Sequence, residues 1–105
     1  MENITFQFDQ RLGISVPEFA LPWEELPSRE QQSVMLHWEQ ERGKIPDRIA
    51  ELEKEINKLQ DMLYEESRFD RSCELNDSIS ELASTINDLW LWYRASEGVE
   101  VKRHH

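Results

Sequence analysis

The stretch Phe69-Asp70-Arg71-Ser72-Cys73-Glu74-Leu75-Asn76-Asp77-Ser78-Ile79-Ser80-Glu81-Leu82 decides the fold. Its apolar positions Leu75, Ile79 and Leu82 continue to Ile86, Leu89 and Tyr93 in steps of four, three, four, three and four. Such steps return to one face of an α-helix at each turn. Upstream, Ile49, Leu52, Ile56, Leu59 and Leu63 repeat in steps of three, four, three and four. Prolonged past Leu63, that pattern would land on Glu66, Asp70 and Asp77, so one unbroken helix does not carry both stripes. The spacing therefore predicts an antiparallel helical hairpin over 46–97, with helices over about 46–65 and 68–96. Leu52, Ile56, Leu59, Leu63, Phe69, Cys73, Leu75, Ile79, Leu82, Ile86, Leu89 and Tyr93 form its scaffold. With the turn centred near Ser67, Leu52 meets Leu82 and Ile49 lies near Ile86.

The hairpin's ends follow from capping chemistry. Pro46 suits the first turn of a helix, where its missing N–H costs nothing, and Asp47 favours the positive end of the dipole. Ser67 with Asp70 three residues on fits a capping box for the last helix. Gly98 is placed to end that helix, leaving 98–105 as a tail in which Val99 and Val101 could form a short strand against residues 3–8.

An earlier helix is predicted over 28–43. Ser28 and Gln31 make a capping box, Val34, Met35 and Trp38 give an apolar face, and Gly43 stands where a left-handed cap residue belongs. Residues 1–27 read as an extended N-terminal arm. Ile4, Phe6 and Phe8 alternate with polar residues as in a short strand, but Gly13, Pro17, Pro22 and Pro27 interrupt any longer period. Phe19, Leu21, Trp23 and Leu26 are too apolar for a free tail, so the arm is expected to lie across the helices or to dock on another protein. The predicted fold class is all-α: a hairpin, one preceding helix and an extended arm.

Composition narrows the function. The 105 residues are one domain's worth, 38% hydrophobic and 32% charged, with a mean hydropathy of −0.75. Regular seams with four Trp, four Phe and two Tyr argue against disorder. No run approaches the roughly 18 apolar residues of a membrane span, and no charged-then-apolar leader is present. One cysteine excludes an internal disulfide framework and fits a reducing, cytoplasmic compartment. A net charge of −10 opposes direct nucleic-acid binding, which needs cations on phosphates, and fits either a solvated surface or a basic protein partner.

The region around 69–82 resembles the UVR motif, a helical hairpin of bacterial nucleotide-excision nuclease subunits. The motif also occurs in some Clp-type ATPases and in kinase activators linked to them. The resemblance is carried by Phe69-Asp70, Ser72-Cys73, Leu75, Asp77, Ile79 and Leu82, and takes in 49–82. Ser72 and Cys73 replace the family's small alanines, Asn76 replaces its arginine, and the preceding helix is about one turn longer. The resemblance implies a protein-binding module, often docking on a like hairpin, and no catalysis.

The residues lead to a similar expectation. A hairpin of about 50 residues buries too little apolar surface to offset its ordering entropy alone, so the Trp-rich end needs a cover. Trp23, Trp38, Trp90 and Trp92 are core or partner anchors, and Glu74, Glu81 and Asp88, with Asp77, form an acidic edge on a helix with no Lys or Arg between Ser72 and Tyr93. Pairing with Lys54 and Lys58 across the hairpin would absorb Glu81 and Asp77, leaving Glu74 and Asp88 without an obvious cation. His37 and Glu41 share a helix face but lack a third ligand, and no nucleophile, phosphate loop or paired-cysteine motif is present. No enzyme, cofactor or metal site is expected. The expectation is a non-catalytic adaptor, regulator or inhibitor, able to self-associate as a dimer. The alternative is an acidic nucleic-acid mimic that occupies the basic surface of a DNA- or RNA-binding enzyme.

Overall fold

A computed structural model describes the backbone of residues 3–103 and the side chains of 3–95. The chain divides into two compact units, residues 1–45 and 46–105.

The first unit corrects the all-α expectation. β1 (Ile4–Asp9) and β2 (Ile14–Phe19) pair as a two-stranded antiparallel sheet, with Ile4 opposite Phe19, Phe6 opposite Pro17 and Asp9 opposite Ile14. Residues 1–27 are therefore not simply an extended arm. Pro17, which suggested a break, is tolerated because it sits on an edge strand at a site that donates nothing to β1. The loop is built by Asp9: its Oδ1 accepts the Leu12 N–H at 3.0 Å and its carbonyl accepts the Gly13 N–H at 2.7 Å. Gly13 takes φ 77°, which an L side chain resists. A short 3₁₀ turn (Trp23–Glu25) follows, then α1 (Ser28–Arg42). Ile4, Leu26 and Val34 form the buried cluster, flanked by Phe6 and Trp23.

Both expected caps of α1 are corrected. Ser28 is already helical, because the Pro27 carbonyl accepts the Gln31 N–H at 3.0 Å and Pro27 takes the capping position without a side-chain bond. Gln31 instead donates from Nε2 to the Trp23 carbonyl at 2.8 Å. Gly43 has φ −63° and ψ −19°, right-handed rather than left-handed.

The second unit holds α2 (Ile45–Glu65, beginning at the unit boundary) and α3 (Phe69–Arg103), separated by the three-residue link Glu66–Arg68. The break is centred on Ser67, as the seams require. The shielded positions are those of the stripes: Ile49, Leu52, Leu75 and Leu89 are buried, and Ile56, Leu59, Leu63, Ile79, Leu82, Ile86 and Tyr93 are half-buried. Ser67 does not cap α3. The first helical bond runs from the Ser72 N–H to the Arg68 carbonyl, and the Glu66 carboxylate accepts the Arg68 N–H at 3.1 Å. Gly98 does not end α3, whose backbone stays helical to Arg103 and so replaces the strand expected at Val99 and Val101. One glycine costs a helix only about 1 kcal/mol, less than the surrounding turns supply. His104 and His105 lie outside the described residues.

Candidate functional site

The outer face of α3 gathers the predicted acids. At about 100° per residue, Glu74, Asp77, Glu81 and Asp88 fall within an arc of about 60°, and Leu91 and Trp92 adjoin it. Glu74, Asp77 and Glu81 are exposed and Asp88 is half-buried. Leu91 is 52% exposed and Trp92 half-buried. Trp90, 41% exposed, lies on the seam's other flank and meets Tyr93 edge-to-face at 5.6 Å between centroids. Glu74 does have a cation: Arg71 Nη1 donates to its carboxylate at 2.9 Å, an exposed pair that leaves the acid open to solvent.

One anchor leaves the candidate set, and Trp23 is half-buried. Trp38 is 6% exposed and shares α1's shielded face with Val34 and Glu41, so it offers no contact to a partner. Trp23 packs edge-to-face on Phe19 at 6.1 Å and beside the buried cluster. Two scaffold assignments also change. Phe69 is 83% exposed at the first residue of α3, and Cys73 is exposed, so neither lies in the seam. No helical turn of α3 precedes Phe69, and position 73 faces away from the stripe through Leu75 and Ile79. Close approach at Cys73 is therefore not what holds the turn.

Three structural side chains escaped the sequence reading. Thr85 is buried between Leu82 and Ile86, its Oγ1 donating to the Glu81 carbonyl at 3.0 Å. A threonine within an apolar stripe is the signal, because inside a helix its hydroxyl can bond back to the carbonyl four residues earlier. Asp9 builds the β-turn, for which Asp four residues before Gly was the sign. Glu41 is the third. It accepts the Ser15 N–H of β2 at 2.7 Å and the Lys44 ammonium at 2.7 Å. Burial pushes its carboxyl up, but the Lys44 and Ser15 hydrogen bonds, with the charges of Lys44 and His37, hold it below its ordinary value. Nothing in the sequence separated it from a solvated i,i+3 pair.

The His37–Glu41 pair is committed elsewhere: His37 stacks on Phe6 with centroids 3.7 Å apart, and Glu41 clasps the sheet. A depression of about 220 Å³ at the open end of the β-hairpin is lined by Asn3, Ile4, Thr5, Glu18, Phe19 and Ala20, which supply one carboxylate and one threonine hydroxyl. Among the described residues no helix is long and apolar enough to cross a membrane. No family model, curated protein or solved structure matches the chain.

Proposed function

We propose that the chain is a non-catalytic protein-interaction module that docks a basic partner protein on the outer face of α3. One observation carries this reading: an acidic ladder from Glu74 to Asp88 runs into exposed Leu91 and half-buried Trp92, with no Lys or Arg from Ser72 to Tyr93. Such a face joins charge, which steers encounter, to an apolar anchor, which slows release. The UVR-type resemblance at 69–82 supports protein binding as the role of the hairpin. On this reading the module acts in the cytoplasm and needs no cofactor.

The test is capture of a partner by the immobilised full chain, followed by binding of that purified partner to variants. Leu91→Ala should lower affinity tenfold or more, as truncation of a central anchor does. The triple substitution Glu74→Gln, Asp77→Asn and Glu81→Gln should slow association and flatten its salt dependence. Unchanged binding by both variants would sink the reading. Loss of binding in proportion to added duplex DNA would instead identify a nucleic-acid mimic.

A further inference from the structure

The two edges of the β-sheet are treated differently. In the observed register Asn3, Thr5, Gln7 and Asp9 face their β2 partners through hydrogen bonds, as the Ala20 N–H to Asn3 carbonyl bond of 2.8 Å fixes. The intervening residues of each strand aim their N–H and C=O outward. On β2 these are Ser15, Pro17 and Phe19. Ser15 gives its N–H to Glu41, and Pro17 has none to give. That edge is disarmed over most of its length.

The edge of β1 carries no such device. Ile4 is buried, but Phe6 and Phe8 present outward backbone groups, and the Phe8 side chain is 65% exposed. The strand Ile-Thr-Phe-Gln-Phe-Asp contains no Lys, no Pro and no bulge, the features that ordinarily block edge pairing. Stacking of Phe6 on His37 holds the edge in place before any partner arrives.

We propose that the Phe6–Phe8 edge of β1 binds the same edge of a second copy of this chain. The two strands run antiparallel about a two-fold axis at Gln7, giving a four-stranded sheet ordered β2-β1-β1-β2. The occupant follows from self-complementarity. Centred on Gln7, each Phe6 opposes Phe8 of the second copy, and these two pairs exchange four backbone hydrogen bonds. The four phenylalanines then share one face and cover Phe8, and cross-strand aromatic pairs are favourable. Asp9, the strand's one charge, opposes Thr5 of the second copy, so no like charges meet. A strand this short makes a small, weak interface rather than an obligate one.

The register gives a sharp test in the full chain with Cys73→Ser, which removes the exposed native thiol. Gln7 and Thr5 are both exposed, so cysteine at either position leaves the fold intact. At the two-fold axis the Gln7 side chains form a non-hydrogen-bonded pair with Cβ atoms about 4.5–5.5 Å apart, within reach of a disulfide. Under oxidised glutathione, Gln7→Cys should cross-link into a dimer at least tenfold faster than Thr5→Cys, whose opposite residue is Asp9. Sedimentation of the unmodified protein should show a dimer growing with concentration up to about 1 mM. Added salt should strengthen it, since two chains of net charge −10 repel, the opposite of its expected effect on a basic partner at α3. Phe8→Pro, which removes one outward N–H and spares the ladder to β2, should abolish it. A monomer throughout that range, or equal cross-linking at positions 5 and 7, would overturn the proposal.

Discussion

The two units of this chain are held by different means. In the second unit one device is repeated: an apolar residue every three or four positions, so successive turns of α2 and α3 shield the same stripe. In the β-hairpin unit nearly every tie is made once. Asp9 closes the turn, Glu41 clasps Ser15, Gln31 reaches the Trp23 carbonyl, and Asn3 Nδ2 donates to Glu30 at 3.1 Å. A repeated device spreads stability over many small burials. The β-hairpin unit adds single polar clasps to its own buried apolar residues Ile4, Leu12, Ile14, Leu26, Val34 and Trp38, and each clasp is costly to lose if its partner stays buried.

Core truncation gives the largest contrast. Leu75→Ala and Leu89→Ala remove side chains only 3% and 0% exposed, and each should cost about 2–5 kcal/mol in urea unfolding. Phe69→Ala and Cys73→Ala, at exposed positions in the same hairpin, should stay within about 0.5 kcal/mol of the parent. If Cys73→Ala cost as much as Leu75→Ala, the seam would have been drawn on the wrong face.

Loss of the main clasp comes next. Glu41→Ala removes a charged acceptor from a part-buried N–H and should cost about 1.5–3 kcal/mol, with faster hydrogen exchange at the Ser15 amide. Its carboxyl is depressed in the folded state, so the protons it takes up on acidification favour the unfolded chain. The stability it contributes is full above its ordinary value of 4.5 and is lost as pH falls through the lower folded value. Glu41→Gln should flatten that part of the stability–pH curve. An unchanged curve would mean the clasp does not form.

Two glycines sharpen the comparison at smaller scale. Gly13→Ala forces a side chain to φ 77° and should destabilise by about 1–2 kcal/mol. Gly43 is right-handed, and a Cβ there would meet only the Glu39 and Gln40 carbonyls at 3.4 and 3.6 Å. Gly43→Ala should therefore stabilise, by about 0.4–1 kcal/mol, through the unfolded chain. Opposite signs in thermal melts are the expected result.

The same contrast explains what could be read from residues alone. The stripes from Ile49 to Leu63 and from Leu75 to Tyr93 were legible because each position confirms the next. So was the break near Ser67, where the pattern fails. β2 was not legible: Pro17 and Gly13 look like breakers, and only the edge position of Pro17 and the turn geometry of Gly13 make them compatible with a strand pair. The acidic face of α3 was visible as spacing, whereas the burial of Trp38 and the exposure of Phe69 depend on how far each helix extends and which side is covered.

Caps are the smallest effects and the most direct measure of that limit. Ser28 and Ser67 both fit a capping pattern in sequence, and both are displaced by one residue. At α1 the Pro27 carbonyl already accepts the first helical bond, and at α3 the Arg68 carbonyl does. A serine that caps a helix is worth about 1 kcal/mol against alanine. Here Ser28→Ala and Ser67→Ala should each change stability by less than about 0.5 kcal/mol, the range of exposed surface substitutions. Ser28 stands at the first helical position, where alanine is the better helix former, so its substitution should even be mildly stabilising. A loss of a full 1 kcal/mol at either serine would restore the capping box in solution, and would shift the start of that helix by one residue. For α3 such a shift would carry Phe69 deeper into the first turn and reopen its place beside the seam.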